Sequence, residues 1–263
     1  MCVYCHFTMA TATTETRKMR PQRPDFTTES YWNERFQGEE SFDWLLEYQQ
    51  FSHLVEKYVD KHERILMLGC GTSTLSLEMY EDGYHNIVNV DFSSVCIEKM
   101  KEKHEHCPTM EWMVMDIKDL KFPDCSFDVV LEKGTLDALV ANEKDPWNIS
   151  EEGFDVMNQS LTQVSRVLKP AGRFLSLTFA QPHFRRPLLA RSVFKWNIEL
   201  VILGEQFHFF FFAMEKGKEM SAEDKELEKK TMLKMQSYAE EATIVKHVGE
   251  EENELTFLNA FQS

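Results

Sequence analysis

The segment that decides the fold is RILMLGCGTSTLSLEMYEDGYHNIVNVD, residues 64–91. Its two apolar runs, RILMLG and NIVNVD, have the length and composition of buried strands. Between them, STLSLEMYEDG has the pattern of a helix that ends at Gly83. A strand, a helix and a second strand in this order predict two parallel strands of one sheet.

The same alternation continues along the chain. SSVCIEKMKEKHEH and EEGFDVMNQSLTQVSRVL predict helices, the second stopped by Pro170 and Gly172, and MEWMVMD, FDVVLE and GRFLSLTFA predict three more strands. WNIELVILG and FHFFFFAMEKG predict a final antiparallel pair. The predicted fold class is therefore α/β: a Rossmann-like sheet of seven strands, mostly parallel with a C-terminal antiparallel hairpin, and helices on both faces.

Composition divides the chain into three regions. We predict a disordered leader at residues 1–30, an α/β domain at 31–214 that begins with an aromatic helical segment, and a charged, partly helical tail at 215–263. A run of Glu and Lys like that of the tail is typical of a solvated helix face, and a docking segment is the alternative.

The leader contains two patterns of low specificity. CVYCH at residues 2–6 matches a haem-attachment motif, but beside the initiator Met we interpret it as a chance match and expect no metal. The Thr-rich, basic stretch at 8–23 resembles a weak mitochondrial transit peptide. The other interpretation is a simple leader of a cytoplasmic protein, which we favour.

Charge and hydropathy exclude some functions. A formal net charge of −15 is unfavourable for a general nucleic-acid binder, which needs clustered Lys and Arg. The apolar runs are shorter than the roughly 20 residues of a membrane-spanning helix. A basic protein surface is a more natural partner for this chain.

Candidate ligand-binding residues follow the predicted strands. Gly69 and Gly71 permit a tight turn after the first strand, and the absence of a third glycine favours S-adenosylmethionine over a dinucleotide. Asp91 ends the second strand, where a carboxylate accepts hydrogen bonds from ribose hydroxyls. Asp116 ends the third strand and is placed for an adenine amino group. For both acids the alternative is a helix cap. Phe92 and Ile117 are the residues predicted to pack on the two faces of the adenine ring.

With these residues, the chain resembles the class I S-adenosylmethionine-dependent methyltransferases. It departs from their general pattern at Met67, where many members carry an acid. LGCGTSTLS, VDFSSV, MDIKDL and LEKGTLDAL are together similar to a narrower family, the seven-strand lysine methyltransferases that act on translation elongation factor 1 alpha. A more distant similarity is to the citrate synthase lysine methyltransferase. The resemblance covers roughly Tyr31 to Met214.

This resemblance implies S-adenosylmethionine as cofactor and S-adenosylhomocysteine as product. It also implies cofactor contacts by two groups of residues. The aromatic segment would supply Trp32, Trp44 and Phe36, the last at a position where relatives have a tyrosine. The strand ends would supply Gly69, Asp91, Phe92, Asp116, Ile117 and Lys133.

The stretch FDVVLEKGTLDAL, residues 127–139, suggests the substrate. It lacks the Asn/Asp-Pro-Pro-aromatic turn of enzymes that methylate nucleic-acid amines. We predict Glu132 and Asp137 as acids that face a cationic lysine, whose amine must lose its proton before it attacks. The alternative is that Glu132 pairs with Lys133 or an arginine and only shapes the loop.

The predicted function is thus methylation of a lysine of elongation factor 1 alpha by a monomeric, cytoplasmic enzyme. Two alternatives stay open. One is a methyltransferase of another protein, such as citrate synthase, or of a small amine. The other is a non-catalytic scaffold that binds S-adenosylmethionine.

Overall fold

The computed structural model describes residues 25–145 and 147–238. The CVYCH motif and the basic stretch at 8–23 lie outside these residues. The strands are β1 Ile65–Leu68, β2 Ile87–Asp91, β3 Glu111–Val114, β4 Phe127–Lys133, β5 Leu168–Thr178, β6 Glu199–Leu203 and β7 Phe209–Glu215. The helices are α1 Glu29–Gly38, α2 Tyr48–Tyr58, α3 Leu75–Glu81, α4 Ser94–Lys103, α5 Thr135–Leu139, α6 Glu151–Val167, α7 Pro182–Leu189 and α8 at 222–238.

All seven strands belong to one sheet, in the order β3-β2-β1-β4-β5-β7-β6. The pairs from β3 to β5 are parallel, and β7 runs antiparallel to both β5 and β6. The predicted fold class is confirmed. Strand order reverses between β1 and β4, so the carboxyl ends of these two strands flank the place where ligands bind in open α/β sheets.

The core lies on both faces of the sheet, because successive residues of a strand point to opposite sides. Leu66 and Leu68 of β1 belong to a buried cluster with residues of α5, α6 and α7. Ile65 and Met67 belong to a second cluster with residues of α1 to α4. Two helical layers therefore enclose a sheet that is apolar on both sides, as parallel strands require.

Two predicted boundaries are wrong. The predicted disordered leader extends too far, because residues 25–28 form a turn and α1 begins at Glu29; the turn is fixed by a 2.8 Å hydrogen bond from Trp32 Nε1 to the Phe26 carbonyl. Helix α6 ends at Val167, within one residue of its predicted end, but β5 begins at Leu168 rather than at Gly172, so Pro170 and Gly172 lie inside the strand. The Lys216 ammonium donates to the Ser165 and Leu168 carbonyls at this junction.

The tail contributes a helix, as predicted, and one side of it packs on the domain. Leu227, Met232 and Met235 of α8 contact the cluster beneath α5, α6 and α7. Asp224 is 1% exposed and pairs with Arg186 at 2.6 Å. The described part of the tail is thus docked on the domain. No helix in residues 25–145 or 147–238 has the length and apolar content to span a bilayer.

Candidate active site

A cavity of about 1000 Å³ opens at the carboxyl ends of the parallel strands. Asp137 lines it, and Glu132 does not. The residues predicted to bind the cofactor all line it: Trp32, Phe36, Trp44, Gly69, Gly71, Asp91, Phe92, Asp116, Ile117 and Lys133. The motifs that follow separate strands in the sequence therefore meet in one place.

The glycine turn after β1 has the backbone conformation that favours glycine. Gly69 and Gly71 have φ of +58° and +51°. A Cβ at Gly69 would overlap the side chain of Thr135, whose Oγ1 donates a 2.9 Å hydrogen bond to the Leu68 carbonyl. A Cβ at Gly71 would meet the Phe36 ring at 3.7 Å, an ordinary contact. Gly69 is thus required by both conformation and space, and Gly71 by conformation.

Asp91 forms part of the inner wall and is 5% exposed. Its Oδ2 accepts from the Gly71 N–H and its Oδ1 from the Ser93 N–H, both at 3.0 Å. Burial raises the pKa of Asp91 to about 6, although these backbone hydrogen bonds act to lower it. The side-chain cap of α4 comes from Ser93, which accepts from the Cys96 N–H. Asp91 is therefore not a simple helix cap, and its oxygens keep lone pairs for further donors.

Asp116 and its neighbours form the wall after β3. Asp116 Oδ1 accepts a 2.8 Å hydrogen bond from the Lys118 N–H, and its Oδ2 lies 3.3 Å from the Lys118 ammonium. Asp116 thus shapes its own turn while it also lines the cavity. Ile117 is 6% exposed and Phe92 is half-buried. These two side chains make the wall apolar, and an apolar wall is a suitable surface for an aromatic ring such as adenine to pack against.

The aromatic segment covers the cavity from the other side. The Trp32 and Phe36 rings stack at 5.3 Å with an angle of 27° between their planes, and Trp44 meets Trp32 edge-on at 6.3 Å. The Arg35 guanidinium lies 4.9 Å from the centre of the Trp44 ring. The segment is thus a packed aromatic layer in contact with the glycine turn.

Lys133 lines the cavity, but its ammonium is already bound. It pairs with Asp43 Oδ1 at 3.0 Å and donates to the Trp44 carbonyl at 2.7 Å. Burial lowers the pKa of Lys133, and the charge of Asp43 opposes that shift. The sequence does not point to Asp43, because nothing local distinguishes it from the other acids of residues 39–47. Lys133 therefore positions the aromatic segment against β4 and uses two of the three N–H donors of its ammonium to do so.

Glu132 does not face a substrate in this structure, so that prediction is wrong. Its side chain is fully buried and accepts hydrogen bonds from the N–H groups of Thr135 and Leu136 and from Ser176 Oγ. Burial, followed by the charge of Asp137, raises the pKa of Glu132 to about 7. The alternative interpretation, in which Glu132 shapes the loop, is the one that the geometry supports, with α5 rather than a cation as its partner.

Asp137 is the acid that lines the cavity. Its Oδ1 accepts hydrogen bonds of 2.5 Å from both Arg185 Nη2 and Thr178 Oγ1. Among the described residues, no hydrogen-bond donor reaches its Oδ2, which is buried. Arg185 is itself 2% exposed, and no pattern in the sequence indicates its role. One carboxylate oxygen is therefore held in place, and the other is buried at the cavity wall without a donor among the described residues.

Comparison with known proteins identifies the protein family to which this chain belongs. The model of a family described as a methyltransferase domain matches residues 59–256, about three quarters of the chain. This chain is a member of that methyltransferase family. The chain is also 46% identical to EEF1A lysine methyltransferase 4 of Bos taurus over 194 residues, 73% of this chain and 76% of the relative. The Mus musculus protein of the same name is 43% identical over the same shares.

Among solved structures, the [4+2]-cyclase SpnF superposes on the methyltransferase chain with a TM-score of 0.50. It is 14% identical, and the match covers 73% of this chain and 93% of the cyclase. This likeness supports the fold alone. The family resemblance predicted from the motifs is confirmed by the family match and by the two mammalian relatives.

Membership of a methyltransferase family implies S-adenosylmethionine as the methyl donor, and the cavity fits that group. Asp91 offers free lone pairs to a pair of hydroxyls, and the glycine turn brings backbone to the cavity wall without Cβ atoms. Phe92, Ile117 and the aromatic layer supply apolar surface. The cofactor supplies an electrophilic methyl group. The role of each of these residues in binding it stays a prediction.

Proposed function

We propose that this methyltransferase transfers a methyl group from S-adenosylmethionine to a lysine of translation elongation factor 1 alpha and releases S-adenosylhomocysteine. The observation that carries the proposal is the 46% identity, over 73% of the chain, to a relative named for that activity. The cavity adds support, because Asp137, an acid with one oxygen that has no donor among the described residues, lines the same space as the predicted cofactor residues.

The substrate lysine must lose a proton, since its ammonium has an ordinary pKa of about 10.4 and only the neutral amine attacks. The apolar cavity lowers the pKa of an ammonium that enters it, because burial disfavours charge, and the proton passes to solvent water before the amine attacks the methyl group. We assign Asp137 as the residue that contacts the amine of the substrate lysine. Arg185 and Thr178 hold Oδ1, and the proposal requires the buried Oδ2 to turn towards the cavity, where it accepts a hydrogen bond from the amine and orients it.

We also propose that the enzyme acts as a monomer in the cytoplasm, on a protein rather than on nucleic acid or a membrane. The net charge of −15 supports a basic protein partner. Cell fractionation and size-exclusion chromatography with light scattering test location and oligomeric state. A mitochondrial location would instead favour the citrate synthase alternative.

The test uses the purified full chain, labelled S-adenosylmethionine, and two purified substrates in parallel, elongation factor 1 alpha and citrate synthase. We expect label on elongation factor 1 alpha alone, at a lysine that peptide mass spectrometry identifies. Asp137→Asn should abolish most of this labelling, whereas the exposed Lys121→Met should not change it. Labelling of citrate synthase alone, or of neither protein despite cofactor binding, contradicts the proposal.

A further inference from the structure

The cavity extends beyond the predicted cofactor residues. Its outer part is formed by the loop between α5 and α6, the start of α7, the turn before β7, and α8. We call this part the outer chamber and define it by Trp147, His183, Phe184, Phe207, Met235 and Tyr238. Pockets that hold one drug-sized ligand usually have volumes of about 300–1000 Å³. This cavity, at about 1000 Å³, lies at the upper end of that range and extends past the predicted cofactor residues into the outer chamber.

Exposed aromatic rings line the outer chamber and the cavity beside it. Trp147 is 68% exposed, stacks on His183 at 5.0 Å with an interplanar angle of 24°, and meets Phe184 edge-on at 4.7 Å. Phe207 and Phe179 also line the cavity and are 64% and 52% exposed. A cluster of large exposed apolar side chains marks a binding surface more often than chance exposure does.

Helix α8 holds Trp147 in place. The Lys234 ammonium donates a 2.6 Å hydrogen bond to the Trp147 carbonyl, and the Tyr238 hydroxyl donates to Asn148 Oδ1 at 2.9 Å. The other end of α8 is fixed to α7 by the ion pair of Asp224 with Arg186. The helix thus connects a buried anchor to the loop that carries Trp147.

We propose that the outer chamber binds the lysine-bearing segment of the protein substrate, with Trp147 as its main contact and α8 as the element that positions Trp147. This inference rests on the proposed function. The aromatic rings and Asp137 line the same cavity, so a segment whose lysine lies at this acid also lies beside these rings. A lysine stem packs on apolar surface, and its ammonium is attracted to aromatic faces.

The test compares two pairs of variants by steady-state kinetics with elongation factor 1 alpha and by calorimetric binding of S-adenosylhomocysteine. Trp147→Ala should raise the KM for the protein substrate about tenfold, as for a central aromatic contact of an interface. Its kcat and cofactor Kd should not change, and Trp147→Phe should restore most of the loss. Lys234→Met should raise the same KM to a smaller extent, and Lys234→Arg should restore it.

The matched control is Leu233→Ala, which removes a 66% exposed apolar side chain of the same helix outside the cavity lining and should leave every constant unchanged. An unchanged KM for Trp147→Ala overturns the inference, and so does an equal loss of cofactor affinity. If the wild type methylates elongation factor 1 alpha while Trp147→Ala matches it, only this inference fails. If the wild type labels no elongation factor 1 alpha, both proposals fail.

Discussion

Asp43 and Lys133, 90 residues apart in the chain, form an ion pair of 3.0 Å with side chains only 14% and 5% exposed. Asp43 also accepts hydrogen bonds from the Ser73 hydroxyl and the Thr74 N–H. One carboxylate thus joins the aromatic segment, the glycine turn and the end of β4. Burial acts to raise the pKa of Asp43, but these hydrogen bonds and the charge of Lys133 lower it overall.

Asp43→Asn should lower the free energy of unfolding by about 3 kcal/mol, because it leaves the Lys133 ammonium buried beside an uncharged amide. It should also weaken S-adenosylhomocysteine binding, since the aromatic layer loses its attachment to β4. Urea denaturation and calorimetry measure the two effects. Lys121→Met, which removes a pair with Asp119 whose side chains are 69% and 62% exposed, should cost at most about 1 kcal/mol. Equal urea midpoints for the two variants would contradict the role of Asp43 as a stabilising partner of the buried Lys133 ammonium.

The fold and the residues on the cofactor side of the cavity can be predicted from local patterns in the sequence. Strand ends can be located from apolar runs, and the carboxyl ends of parallel strands must meet, so the positions of Asp91 and Asp116 follow from the sequence alone. The pair of Asp43 with Lys133 does not, because a contact across 90 residues leaves no periodic pattern. Nor does the pairing of Asp137 with Arg185, which depends on how α7 packs against α5.

The error at Glu132 has a different cause. A charged residue after an apolar run suggests a side chain that faces a ligand, but Glu132 still lies within β4. Glu132 lies two residues before Gly134, the N-cap of α5, and accepts from the N–H groups of Thr135 and Leu136. Glutamate at that position is not a capping signal, so this role becomes visible only in the structure.

The two glycines of the turn after β1 should respond differently to alanine. Gly69→Ala combines a left-handed conformation, which costs about 1–2 kcal/mol, with overlap on Thr135, so it should abolish cofactor binding and lower stability well beyond that amount. Gly71→Ala has the conformational cost alone and should retain measurable binding. Thermal unfolding with and without S-adenosylhomocysteine measures both. A smaller effect at Gly69 than at Gly71 would contradict the close contact of Gly69 with Thr135.

Cofactor affinity should fall as the solution becomes more acidic than about pH 6. Hydroxyl donors require the carboxylate form of Asp91, and burial holds the pKa of this group at about 6. The affinity for S-adenosylhomocysteine should therefore be constant above pH 7 and decrease on acidification through pH 6. Asp91→Asn should bind more weakly at pH 7.5 and show a flatter profile between pH 5 and 7. A wild-type affinity that rises on acidification would exclude the ribose role.

The contribution of Glu132 to the free energy of unfolding should decrease as the pH rises. Its ordinary pKa is 4.5 and burial raises it to about 7 in the folded protein, so the folded state holds a proton that the unfolded state has released between these values. The stabilising contribution is complete below pH 4.5 and is lost as the pH rises through 7. Glu132→Gln should thus lose less free energy of unfolding between pH 5 and 8 than the wild type. The exposed Glu226→Gln should follow the wild-type curve.

Asp137→Asn separates a role in catalysis from a role in folding. The amide keeps the shape but weakens the pairing with Arg185, a buried cation, so stability should fall by about 3 kcal/mol or more. If Oδ2 receives the substrate ammonium, kcat/KM for elongation factor 1 alpha should fall at least about 100-fold while S-adenosylhomocysteine affinity persists. Calorimetry on the same preparation shows whether the cofactor cavity is intact.

The pH profile of this variant gives the decisive comparison. The fraction of neutral lysine rises about tenfold per pH unit below its pKa of about 10.4. An enzyme without the carboxylate depends on that fraction, so kcat/KM of Asp137→Asn should rise more steeply between pH 7 and 9 than that of the wild type. Arg185→Lys keeps the charge but loses the planar group that holds Oδ1, and should lie between the two. If the pH profiles of the wild type and Asp137→Asn are parallel, and the variant loses activity and cofactor affinity together, then Asp137 serves only as a structural partner of Arg185.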